Sequence, residues 1–257
     1  MIGREPTASP SPSPQELQPR RPDLVQVIRR HPVTFSLIGV NLAVFAAQYL
    51  LGGLFGFDLV IGLGAKENAA IAAGQYWRLI TPVFIHAGLA HLFVNMYSLY
   101  VIGPTGEEMF GRPRFLAFYL LAGFAGAIFS MAFNPSPSVG ASGAIFGLLG
   151  MLGAFWYVHR STFGSVGNLQ LRQIALVAAL NLVIGLSPGI DFWAHFGGFV
   201  TGIVLGLFFG PRFEPRLTDT GRVGMQDTRP WAQVRTGVLL ALVALILLAV
   251  LVVVNSA

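Results

Sequence analysis

Cysteine is absent from all 257 residues. That removes disulfides, thiolate catalysis and cysteine-ligated metal together, and leaves the redox compartment open. Charge is nearly as scarce: Asp, Glu, Lys and Arg make up 11% of the chain, against roughly 25% in an ordinary soluble domain. A soluble domain that is 54% AVILMFWYC would expose enough apolar surface to aggregate, which excludes a water-soluble enzyme. The net charge of +5 does not make a nucleic-acid binder, because the basic residues form no continuous stripe. They punctuate long apolar runs, as in a polytopic membrane protein. The first 30 residues lack the apolar stretch of a signal peptide and contain Pro10–Ser11–Pro12–Ser13–Pro14. Residues 1–31 are therefore expected to form a disordered tail.

Crossing a hydrocarbon layer of roughly 30 Å takes about 20 apolar residues at 1.5 Å rise each. Seven segments qualify: Val33–Leu51, Leu89–Met109, Phe115–Phe133, Ser142–Val158, Ile174–Leu186, Phe192–Phe209 and Thr236–Val254. The stretch from Phe115 to Val158 has no charged residue at all, yet Asn134–Pro135–Ser136–Pro137–Ser138 must split it, since prolines this close forbid a continuous helix. The expected organisation is all-α: a tail at 1–31, a six-span core at 32–211, an Arg-rich linker at 212–235 and a seventh helix with a short tail at 236–257. If the N-terminus is inside, fourteen arginines fall inside and only Lys66 and Arg78 outside. The excess of positive charge on inner loops predicts a cytoplasmic N-terminus and an outside C-terminus. The long outer loop Gly52–Gly88 contains Gln75–Tyr76–Trp77–Arg78, which suits a segment lying among headgroups. No inverted repeat of the transporter kind is visible, nor paired charges at midplane.

Polar residues within spans are functional candidates by default. His91 and Asn95 lie one to two turns into the second span, Ser142 opens the fourth, and His195 lies one turn into the sixth. In the orientation above all four fall at similar depth below the outer face, where unrelated structural residues would scatter. Each has a plainer use, since Ser bonds its own helix and His or Asn can tie two helices together. Together they suit nucleophilic catalysis: a serine hydroxyl is activated by a neutral imidazole that accepts its proton. Ser142 sits in Gly140–Ala141–Ser142–Gly143 at a helix start, where free N–H groups could hold an oxyanion. His91 and Asn95, four apart, share a helix face and offer further donors. A metal site is the competing reading, but His86 and His91 stand about 140° apart around a helix, and no H-E-x-x-H is present. Asp191, four residues before His195, could orient that imidazole or cap its helix.

These residues resemble the rhomboid family of intramembrane serine proteases over roughly Pro32 to Pro211. The likeness rests on Trp77–Arg78 in the first loop, His86, His91 and Asn95 in an H-x4-H-x3-N pattern, Gly140–Ala141–Ser142–Gly143, and Ala194–His195–Phe196–Gly197–Gly198. It implies a six-helix rhomboid core plus one C-terminal helix, with Ser142 as nucleophile, His195 as base, and His91, Asn95 and the Ser142 amide as oxyanion hole. Glu107 resembles the family's structural acid. Gly198 and Gly202 would let the sixth helix approach the fourth. Phe146 stands where the family often has Tyr, able to stack but not to hydrogen-bond. The resemblance further implies no cofactor and no metal, a multi-pass location in a bacterial plasma membrane, and single-pass membrane proteins as substrates. These would enter from lipid between the second and fifth spans, beneath a cap at Ser187–Ile190. A non-catalytic chaperone or adaptor of the same fold is the alternative.

Overall fold

The computed structural model describes residues 23–217 and 221–256; residues 1–22 of the tail expected at 1–31 lie outside the described residues. The last part of that expected tail is helical instead: α1 (Leu24–Arg30) begins where Asp23 accepts a hydrogen bond from the Gln26 amide and ends with Arg29 and Arg30. Cations at a helix C-terminus complement its dipole. Seven long helices follow: α2 (Pro32–Phe55), α5 (Leu89–Phe110), α6 (Arg112–Phe133), α7 (Ser142–His159), α8 (Gly164–Ile184), α9 (Phe192–Phe209) and α10 (Trp231–Ser256). Six are long and apolar enough to cross a membrane. The exception, α5, has 22 residues but is diluted by His91, Asn95, Glu107 and Glu108. Gly111 alone joins α5 to α6, in a left-handed conformation (φ 75°) that tolerates no side chain cheaply, and Pro113 falls in the first turn of α6.

α7 lies at the centre, with nearly every residue from Gly143 to Trp156 buried. Hydrophobic burial does not distinguish one apolar neighbour from another inside lipid, so close packing must do so, and small residues permit it. A Cβ added to Gly198 or Gly202 would lie 2.0 Å from the carbonyl oxygens of Gly143 and Gly147. The backbones of α7 and α9 therefore touch. Glu107, buried near the other end of α5, accepts from the Val33 amide (3.1 Å), the Thr34 amide (2.8 Å) and the Thr34 hydroxyl (2.9 Å). It supplies the missing partners at the start of α2.

The segment between α2 and α5 folds as α3 (Leu59–Gly64), α4 (Asn68–Ala72) and two 3₁₀ turns, Tyr76–Leu79 and Thr81–Phe84. Arg78 was expected among headgroups but turns inward. It donates to Ala65 O (2.8 Å), Gly62 O (2.6 Å) and Gln75 Oε1 (2.7 Å), so it satisfies carbonyls at the end of α3. Trp77 stays half-exposed while its Nε1 donates to Leu63 O. α8 starts ten residues before the expected Ile174, taking in Arg172, because Gln, Leu and Arg favour helix whatever their apolarity.

The expected linker 212–235 contains an antiparallel hairpin, β1 (Phe213–Leu217) and β2 (Val223–Asp227), and α10 begins five residues before Thr236. Asp227 accepts from the Arg212 and Arg229 amides, both at 2.9 Å, and pairs with buried Arg114 at 3.2 Å. His159, closing α7, accepts from the Phe213 amide at 2.9 Å. α10 itself packs on α6, α4 and α9.

Candidate active site

Two breaks in the chain place the central pair. Gly140, at φ 130°, bends the chain into α7, and a Cβ there would strike the His91 ring at 2.7 Å. Ser142 is the first residue of α7, and no side chain caps that helix, so its first N–H groups have no intrahelical partner. On α9, Asp191 caps the start by accepting from the Ala194 amide at 3.1 Å, and its second oxygen accepts from the Ser130 hydroxyl. One turn further on, His195 Nε2 lies 2.8 Å from Ser142 Oγ. Of the two readings of Asp191, capping is the one seen: His195 Nδ1 has no hydrogen-bond partner among the described residues. The imidazole is held instead by Phe146, stacked at 4.3 Å with the rings 13° apart.

His91 and Asn95 line the same space from α5. Asn95 is buried and spends one amide hydrogen on His91 O at 2.9 Å, which leaves the other available. His86 sits edge-on to His91 at 5.1 Å. It is fully buried, and that burial, with the neighbouring His91, pushes its pKa down to about 4. Gln48 of α2 brackets the His86 backbone, donating to its carbonyl and accepting from its amide. Among the described residues no three His, Asp or Glu side chains gather as a metal site.

Ser142, His195, His91 and Asn95 face one cavity of about 800 Å³. Its walls are α5, α7, α8 and the loops before α7 and α9, with Gly189 and Ile190 contributing from the segment expected to cap it. Lys66, which no motif singled out, braces the loop before α7. It is buried and donates to Asn134 O (2.7 Å), Ser136 O (2.8 Å) and Asn68 Oδ1 (3.0 Å), while its backbone pairs with Ser138. Burial pulls its pKa down to about 8, against the opposing pull of Asp191 and Glu67. Gln48 and Lys66 carried no signal in the sequence beyond being polar in an apolar neighbourhood.

The fold and this cluster define a class: a multi-pass helical membrane protein with a serine and histidine hydrogen-bonded at the end of a buried helix. The family model described as "Rhomboid domain" matches residues 73–212, more than half of the chain, and the chain belongs to the rhomboid family. It is 39% identical to the "Rhomboid protease GluP" of Bacillus subtilis over 171 residues, 66% of this chain and 33% of that protein. It is 41% identical to "RHOMBOID-like protein 6, mitochondrial" of Arabidopsis thaliana over 146 residues, 54% of this chain and 46% of that one. "Inactive RHOMBOID-like protein 8" of the same plant is 34% identical over 143 residues, 54% of this chain and 39% of that one. The chain thus spans between a third and a half of these relatives' length.

Proposed function

We propose that this protein is an intramembrane serine endopeptidase that cleaves single-pass membrane proteins in or near their spanning helices. The observation that carries the proposal is the 2.8 Å contact between Ser142 Oγ and His195 Nε2 on the wall of an open cavity. A neutral imidazole at that distance takes the hydroxyl proton as the oxygen attacks the peptide carbonyl, then returns it to the leaving amine. Charge developing on the carbonyl oxygen would meet the Ser142 amide at the uncapped start of α7, the second hydrogen of Asn95, and His91. His195 works without a carboxylate partner, oriented by the Phe146 stack and by the glycine contact of α9 with α7. A relative named inactive exists in the family, so the alternative is a non-catalytic chaperone or adaptor. Retention of both Ser142 and His195 in bonding contact favours the enzyme.

Residues of both α5 and α8 line the cavity, which supports lateral entry of a substrate helix from lipid between them. Backbone carbonyls of such a helix are engaged in their own hydrogen bonds, so helix-breaking residues near the cut should speed cleavage. Trp77, Arg78, His86, Glu107, Gly140, Gly198 and Gly202 then serve as positioning residues. We place the protein in a bacterial plasma membrane with its N-terminus cytoplasmic. The test is turnover of a single-span reporter by reconstituted protein. Wild type should cleave and react with an isocoumarin or alkylphosphonate probe at Ser142, and Ser142→Ala and His195→Ala should be folded and inactive. Cleavage persisting in either variant would sink the dyad, and an inert wild type would favour the adaptor.

A further inference from the structure

The hairpin between α9 and α10 is anchored at its base and, among the described residues, exposed towards its far end. Side chains alternate across a strand, so the register Phe213↔Asp227, Pro215↔Met225 and Leu217↔Val223 puts these six on one face. Glu214, Arg216 and Gln226 occupy the other. At the base the first face packs onto the bundle: Phe213 meets the rings of Phe155 (5.9 Å) and His159 (6.1 Å), and Asp227 holds Arg114. Towards the tip the same face is uncovered, with Met225 43%, Val223 70% and Leu217 76% exposed. The chain enters the hairpin from the spanning helix α9 and leaves it into the spanning helix α10. A short connection between two spanning helices emerges at a membrane face, and the face that packs on the end of the bundle at Phe213 continues uncovered towards Leu217 and Val223.

We infer that this hairpin is a lipid-contacting surface, with Pro215, Leu217, Val223 and Met225 entering the boundary between headgroups and acyl chains and nearby arginines holding acidic phospholipid headgroups. Arg216, on the other face of the hairpin, and Arg235, in the second turn of α10, are exposed, at the arginine-rich end of the molecule, and basic groups at a membrane surface attract anionic lipid. An apolar strand face left in water would instead invite pairing with another chain. The inference stands apart from the protease reading and uses none of its residues.

The absence of native cysteine makes a direct test available. Val223→Cys and, on the opposite face, Gln226→Cys are each labelled with an environment-sensitive fluorophore in the full-length protein. The proteins are then reconstituted in vesicles of phosphatidylcholine with and without phosphatidylglycerol. The label at 223 should be quenched by nitroxides on upper acyl chains several-fold more than the label at 226, and phosphatidylglycerol should increase that difference. Adding Arg216→Gln should remove about fivefold of the gain, the contribution of one basic residue near a charged surface. Equal access of iodide to both labels, with no lipid quenching at 223, would overturn the inference. So would shielding at 223 that comes with energy transfer between labelled copies and vanishes on dilution with lipid, since a second copy would then cover the face.

Discussion

Adding a single methyl group at Gly198 tests whether the contact between α7 and α9 sets the geometry of the site. A Cβ at that position meets Gly143 O at 2.0 Å, where ordinary contact begins near 3.4 Å. The obstacle is backbone, which cannot swing aside as a side chain can. Interiors this dense have no slack, so the helices must part by about 1.4 Å at the crossing. His195 lies three residues before Gly198 and Ser142 one residue before Gly143, so the separation falls on the pair. A hydrogen bond of 2.8 Å opened to about 4 Å is no hydrogen bond. A misplacement of 1 Å can lower a rate on the order of 100-fold, and that is the loss expected in kcat for Gly198→Ala. Overpacking adds about 1–3 kcal/mol of destabilisation, so reporter turnover and probe labelling of Ser142 are measured well below each variant's melting temperature. Gly153→Ala is the control on the same central helix: its nearest neighbour is the Ile174 side chain at 3.5 Å, and activity should stay within about twofold of wild type. A folded Gly198→Ala protein with near-normal kcat would refute the link between this crossing and the Ser142–His195 contact.

Three further outcomes are expected. Asn95→Ala should lower kcat about 10–100-fold with KM within roughly threefold, because a transition-state donor is lost and not a binding contact; a destabilised but fully active variant would assign Asn95 to helix packing alone. Glu107→Ala should cost about 2–4 kcal/mol, since two amides and a hydroxyl lose a charged acceptor, while Glu107→Gln keeps one acceptor oxygen and should lose less; unchanged thermal unfolding in the alanine variant would contradict this. His86 is held neutral down to about pH 4, against an ordinary value of 6.5, so between these limits the unfolded chain binds a proton that the folded chain does not. Its contribution to stability is complete above about pH 6.5 and is lost progressively as pH falls towards 4. Thermal unfolding across that window should fall less steeply for His86→Phe than for wild type, and parallel profiles would show that His86 does not titrate this way.

Apolar runs, the proline break at 134–138 and the small, polar composition around Ser142 and His195 announce the spans and the candidate residues. Each depends only on neighbours along the chain: a helix needs a run of compatible residues, and a breaker acts where it stands. That His91, Asn95, Ser142 and His195 lie near the starts of their helices was legible for the same reason, since such a position follows from counting residues inward from a span's end. What joins them was not legible. Ser142 and His195 are 53 positions apart, Glu107 and Val33 are 74 apart, and Arg114 reaches 113 positions to Asp227. Polar residues with several possible partners, such as Arg78, Lys66 and Asp191, have their choices made by whichever unpaired carbonyl or amide the fold brings within about 3 Å. The hairpin is a case in point: its base is held by Asp227 and His159, side chains whose partners exist only once α6, α7 and α9 are assembled. Local chemistry along the chain determined which segments enter the membrane and which residues could react, while the close backbone crossing of α7 and α9, available only to glycines that meet in space, decided that Ser142 and His195 touch.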